Sequence, residues 1–240
     1  MEFSIRVSDW QAAAPGLSSR QDWQTWADSP RPINPSDSLR KCQHLPMMMA
    51  RRLSAGSRVA VDLGLELIQK HRVDALVYSS RHGELEKNYR ILETLHKQAE
   101  QSPTVFAMSV HNAAVGTTTI SGKAELTSTA IAAGRDSFQQ ALIECYLLLA
   151  DGYSRVLLVD YDSSVPDFYL SHLPKNLPNY PYALGLVLEA GKDICCQSLN
   201  STESLHPDMP QSLAFLAAWL KQSKAFTLDG EQNRWQWTRQ

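Results

Sequence analysis

Short apolar runs alternate with segments of helical periodicity, and this alternation is what most constrains the fold of the chain. Residues 73–79, 126–132, 155–160 and 182–189 are each too short for a stable helix and are bounded by charged or turn-forming residues, so they read as strands. Residues 104–110, Thr-Val-Phe-Ala-Met-Ser-Val, read as a fifth. Between them, 57–70 and 137–150 carry apolar residues along one helical face, and Leu85, Tyr89, Leu92 and Leu95 keep the same spacing. Gly152 supplies a helix stop. Strands joined through helices predict an α/β fold with a mixed five-stranded sheet covered by helices on both faces.

The ends are less regular. Five prolines between Pro15 and Pro46 predict loops across 11–50, with a short helix at 21–26. A helix is expected at 211–222 and a closing hairpin at 226–237 around Asp229-Gly230. With 240 residues and 43% hydrophobic content, one domain spanning 1–240 with its core at about 50–190 is expected.

Charge and cysteine usage narrow the function classes. A net charge of −2 gives no electrostatic reason to bind nucleic acid or an anionic membrane. No apolar run approaches the length of a membrane span. The N-terminal Met1–Val7 lacks a signal-like pattern, and the four cysteines form neither a Cys-x-x-Cys pair nor a zinc-like spacing. A cytoplasmic protein without metal or cofactor is expected.

Isolated reactive groups read as structural. Cys145 falls on the apolar face of the 137–150 helix and belongs to the core, while Cys195 and Cys196 read as buried thiols in a strand or turn. His82 and His111 follow strand ends and are expected as hydrogen-bonded structural histidines. Asp160 and Asp162 read as solvated strand-end acids, and Asp136 and Ser137 as helix N-caps. Arg40, Lys41, Arg51 and Arg52 form a charged face, solvated or open to an acidic partner.

The gapless stretch from Asn112 to Arg135, Asn-Ala-Ala-Val-Gly-Thr-Thr-Thr-Ile-Ser-Gly-Lys-Ala-Glu-Leu-Thr-Ser-Thr-Ala-Ile-Ala-Ala-Gly-Arg, resembles the β-ketoacyl synthase segment that runs from an Asn-x-x-x-Gly turn to the catalytic cysteine. Arg135 stands at the cysteine's position. A guanidinium stays protonated and is not nucleophilic, so it cannot replace a thiolate. The turn at 79–85 and the strand at 182–190 extend the resemblance over roughly 50–190. Ser109–Ala114 and the Ala-Ala-Gly-x-Asp-Ser around Arg135 are most similar to short ketosynthase-like chain length factors of aryl polyene biosynthesis, which share half of the thiolase-like fold.

That resemblance implies an inactive subunit paired with an active β-ketoacyl synthase, with acyl carrier protein reaching it through the complex. No catalytic residue is implied. The family's two catalytic histidines have no counterpart, because after Arg135 only His172 and His206 remain, neither in glycine-rich surroundings. Leu126, Thr127, Ser128, Thr129, Ala130 and Ile131 are implied to pair across the subunit interface. Val105, Phe106, Met108 and Val110, leading to His111 and Asn112, resemble the segment that reaches toward the partner's acyl tunnel. The alternatives are a homodimeric acyl-binding or scaffold protein, or a self-contained acyltransferase using Cys145 or Ser137.

Overall fold

A computed structural model describes residues 1–174, 177–200, 209–231 and 233–240. In chain order its elements are β1 (Glu2–Ala13), α1 (Arg20–Asp28), α2 (Met47–Ala50), α3 (Ala55–Lys70), β2 (Ala75–Ser79), α4 (Leu85–His96), α5 (Pro103–Ala107), α6 (Ala113–Gly122), β3 (Thr127–Ile131), α7 (Ser137–Ala150), β4 (Arg155–Asp162), α8 (Asp167–Leu170), β5 (Tyr182–Asn200), α9 (Gln211–Leu220), β6 (Ala225–Asp229) and β7 (Asn233–Arg239). The sheet runs β3-β2-β4-β5-β7-β6, with β1 paired to β5. It is mixed: β2 lies parallel to β3 and β4, and the pairs made by β5 are antiparallel.

The sheet has seven strands rather than five. Residues 104–110 do not form one of them: Pro103 opens α5 and the Ser102 hydroxyl accepts from Val105 N, which starts a helical turn where the apolar pattern alone suggested a strand. β1 lies outside the expected strands and overlaps the stretch expected as loop only at residues 11–13; it forms because Phe3 and Ile5 are buried at alternate positions against β5. The closing hairpin supplies the other two strands, β6 and β7. β5 continues past Glu189 to Asn200, so Cys195 and Cys196 lie within it. Cys196 is buried, but Cys195 is partly exposed and its thiol faces Glu2, contrary to the expected burial of both.

Alternation along the central strands sorts side chains into two cores. Ala75, Val77, Val156, Leu158, Leu184, Leu186 and Leu188 join Phe138, Leu142 and Phe215 on the α7 and α9 side. Leu76, Tyr78, Leu157, Val159 and Val187 meet Val59, Leu63 and Leu67 of α3 on the other. Fully burying one such side chain is worth roughly 1.5–3 kcal/mol, so the middle strands carry much of the stability. Gly56 lets the start of α3 touch the end of β4, where any Cβ would run into the Asp162 carbonyl.

Buried charges lock the periphery to these layers. Arg40 is not solvated: it pairs with Glu66 at 2.6 Å and Asp62 at 3.4 Å, while Lys41, Arg51 and Arg52 are exposed. Against the upward push of burial, bonds from Lys70 and Arg40 bring Glu66 down to about 2. Asp62 accepts from the backbone N–H groups of Gln43, His44 and Leu45, and so ties the proline-rich loop to α3.

Asp136 pins the closing hairpin. Its carboxylate accepts from Trp235 Nε1 at 2.8 Å, Glu231 N at 2.9 Å and Gln211 Nε2 at 3.2 Å. It occupies the N-cap position of α7 as the sequence suggested but makes no side-chain capping bond, since its oxygens are taken by distant donors. Gly230 is required beside it, because a Cβ there would collide with Asp136 Oδ1. Asp136→Ala leaves three donors without their acceptor and should cost on the order of 3 kcal/mol in denaturant unfolding followed by tryptophan fluorescence. A loss below about 1 kcal/mol would show that the hairpin does not depend on this carboxylate.

Candidate functional site

The strand–turn–helix elbow around Arg135 is fully built. β3 runs into Gly134, whose φ of +57° turns the chain, and Gly134–Asp136 form a single 3-10 turn before α7. Ser137 Oγ accepts from Ala133 N at 3.0 Å and donates to Gly134 O at 2.8 Å. It thus braces the elbow instead of capping α7. Arg135, half-buried, sits at the tip and lines a cavity of about 80 Å³.

Two buried carboxylates form another wall of that cavity. Asp160 and Asp162, 3% and 7% exposed, point to the same side of β4 and are not the solvated acids expected from the sequence. Asp160 accepts from Ser79 Oγ at 2.6 Å and Tyr182 OH at 3.3 Å, and burial pushes its carboxyl up to about 7 despite these donors. Asp162 accepts from Ser80 Oγ at 2.6 Å, His82 N at 2.9 Å and Arg81 N at 3.2 Å. It thereby holds the 80–83 turn that carries Arg81 and His82 into the cavity. Burial also raises Asp162 and lowers the His82 imidazole, which favours the neutral ring. His111 is structural as expected, with its Nε2 at 3.0 Å from Ser80 O.

No nucleophile is poised at this elbow among the described residues. Cys145 lies fully buried in α7, and burial raises its thiol well above the ordinary range. Ser137 is buried and donates to a carbonyl. His172 belongs to the turn after α8, while His206 lies outside the described residues. Among the described residues no cluster of His, Cys, Asp and Glu has metal-binding geometry.

Most residues singled out for an interface are at least partly exposed. β3 is an edge strand with β2 as its neighbour; Thr127 and Ser128 are exposed, Leu126, Thr129, Ala130 and Ile131 partly so. Val105, Phe106 (66% exposed) and Val110 stand in solvent, as does Asn112, and His111 is half-buried. Met108 differs, since it packs partly against the α3-side core. Neither α4 nor α5 buries a single residue, although α4 carries Leu92 and Leu95, and α6 ends with Ile120 exposed.

The family model for the β-ketoacyl synthase N-terminal domain matches residues 23–238. The chain belongs to this β-ketoacyl synthase family. A chain in the structure of the ketosynthase ApeO in complex with its chain length factor ApeC, from Xenorhabdus doucetiae, is 48% identical, with a TM-score of 0.95 over 99% of this chain and 100% of that one. The AntDE:AntF structure, a type II polyketide acyl carrier protein in complex with its ketosynthase, contains a chain that is 8% identical with a TM-score of 0.72 over all of both chains. The ishigamide ketosynthase/chain length factor contains one that is 14% identical, with a TM-score of 0.66 over 83% of this chain and 68% of that one. The last two show likeness of fold alone. No curated protein sequence matches.

Burial shifts the Asp160 carboxyl in the cavity wall toward its protonated form, which links the stability of this wall to pH. Because the folded pKa of Asp160 lies above its unfolded value of 3.8, its contribution is full at acid pH and is lost as pH rises to about 7. The wild type should lose up to roughly 4 kcal/mol across that window, and Asp160→Asn distinctly less, in unfolding curves measured at stepped pH. Identical slopes for the two proteins would contradict a buried, protonated Asp160.

Proposed function

We propose that this chain is a non-catalytic chain length factor subunit that pairs with an active β-ketoacyl synthase and shapes its acyl tunnel during polyene or fatty-acid-type elongation. The observation that carries this reading is Arg135 at the tip of an intact elbow. The turn is braced by Ser137 around a side chain that cannot attack a thioester. Selection for a condensing enzyme does not explain that combination, whereas selection for the shape of a partner surface does.

The exposure of these residues supports the pairing. An edge strand presents unpaired N–H and C=O groups, and exposed apolar side chains on α4, α5 and α6 lie in the same part of the chain. The 48%-identical relative comes from the structure of a ketosynthase in complex with its chain length factor, which supports pairing with a ketosynthase. Acyl carrier protein would serve the complex through the active subunit. No helix among the described residues is long and apolar enough to cross a membrane.

Small packing effects are enough for such a subunit to set product length. A two-carbon unit buried in an apolar tunnel gains roughly 1.6 kcal/mol, and pressing it against a packed wall costs about 1–3 kcal/mol. With the exposed segment before α6 at the tunnel's end, Phe106→Ala or Met108→Ala should lengthen the products by one or more two-carbon units, and Val105→Trp should shorten them. The readout is the chain-length distribution from the reconstituted complex with its carrier protein. Variants that preserve the complex and change only the total rate would overturn the tunnel-shaping role.

A further inference from the structure

The sheet edge that lies across from β3 carries a charge pattern complementary to itself. Along the first half of β5 the strands run β3-β2-β4-β5-β1, and β5 is the sole strand partner of β1 among the described residues. Farther along β1 the outer carbonyls are taken, Trp10 O by the Arg20 guanidinium and Ala12 O by Trp23 Nε1. At residues 2–6 no described strand or side chain covers them. Ser198 N donates to Met1 O, so residues 1, 3 and 5 turn their backbone polar groups toward β5, while Glu2 and Ser4 turn theirs outward. The side chains alternate in step: Phe3 and Ile5 are buried, and Glu2, Ser4 and Arg6 share the other side.

Two observations leave this edge regular and its charges open to a partner. The register shift beside it lies in β5, because Ile5 pairs with Ile194 and Arg6 with Glu189, which leaves residues 190–193 as a bulge on the neighbouring strand. Arg6 reaches Asp193 through Nε, with both side chains about half exposed, and such a surface pair is weak in water. Its two Nη groups make no bond among the described residues. Glu2 accepts the weak thiol donor of Cys195 at 3.6 Å.

An edge strand pairs with a copy of itself when a two-fold axis passes through its middle residue. With the axis at Ser4, antiparallel pairing sets Glu2 against Arg6 of the second copy and Arg6 against Glu2 of the second copy, so opposite charges meet at both outer positions. A cleft of about 450 Å³ beside this stretch, with Phe3, Tyr146 and Leu149 in its lining, adds apolar surface for the second copy to cover.

We propose that the first half of β1 is a self-association surface, through which two copies of this chain pair antiparallel about Ser4. The contact does not draw on β3 or α5, so it stands or falls separately from pairing with a ketosynthase, and it doubles such a complex without changing its one-to-one stoichiometry. A five-residue contact falls short of the ~1,200 Å² of a stable interface, so it comes apart on dilution.

The test is light scattering on the full chain, together with any subunit that co-purifies, over a concentration series up to ~200 μM. The mass should double toward the upper end. Glu2→Arg and Arg6→Glu each set like charges against one another at both outer positions, and either alone should raise the concentration needed for doubling by at least about tenfold. An equal mixture of the two variants brings opposite charges together again at both positions and should recover the doubled mass, which damage to the β1 fold or loss of the Arg6–Asp193 pair would not do. A single, undoubled mass across the series would overturn the proposal, as would doubling that survives both variants or fails to return on mixing.

Discussion

β5 is the strand on which the other layers depend, because its 19 residues serve three partners at once. Its first half, Tyr182 to Glu189, lies between β4 and β1, and its second half, from Ile194, between β1 and β7. Leu184, Leu186 and Leu188 face one core, and Ala183 and Val187 the other, so this run joins the α3 side to the α7–α9 side through side chains buried on both faces. The strand also links the chain's ends. β1 and β7, which carry the first and last residues of the sheet, meet on it, and the β6–β7 hairpin is held by Asp136 at the elbow.

That linkage explains how an elbow without a nucleophile keeps its shape. In a condensing enzyme the geometry of the turn is justified by the thiolate it activates. In this chain the same turn is held by Ser137 from within, by Asp136 against the hairpin, and by the α7 packing of Phe138, Ala141, Leu142 and Cys145. The elbow is part of the scaffold, and β3 is the edge strand that leads into it.

The central architecture was legible in the sequence because burial on two faces leaves continuous apolar runs, as in Val156–Val159, and a helix such as α7 leaves Phe138, Ala141, Leu142 and Cys145 at helical spacing. The elbow at Arg135 was legible from the order of residues around it. Residues 104–110 misled, since Val, Phe, Met and Val carry the same apolar signal in an exposed helical turn as in a strand, and Ser102-Pro103 decided the outcome locally. β1 was missed because its signal is weak: in its first half Phe3 and Ile5 alternate with Glu2, Ser4 and Arg6. The buried roles of Asp160, Asp162, Asp136 and Arg40 were beyond local pattern altogether. Each carboxylate is satisfied by donors distant in sequence, Ser79 and Ser80 for the first two and Trp235 for the third, and only the packed fold brings these groups together.

On the reading proposed above, the β3 edge and the exposed apolar residues of α5 and α6 are covered by an active ketosynthase subunit. Native mass spectrometry of the chain co-expressed with a candidate ketosynthase partner from its own source tests this most directly. The account predicts a one-to-one heterodimer that persists at dilute concentration. A monodisperse monomer of this chain, recovered beside a ketosynthase that has paired with itself, would contradict it.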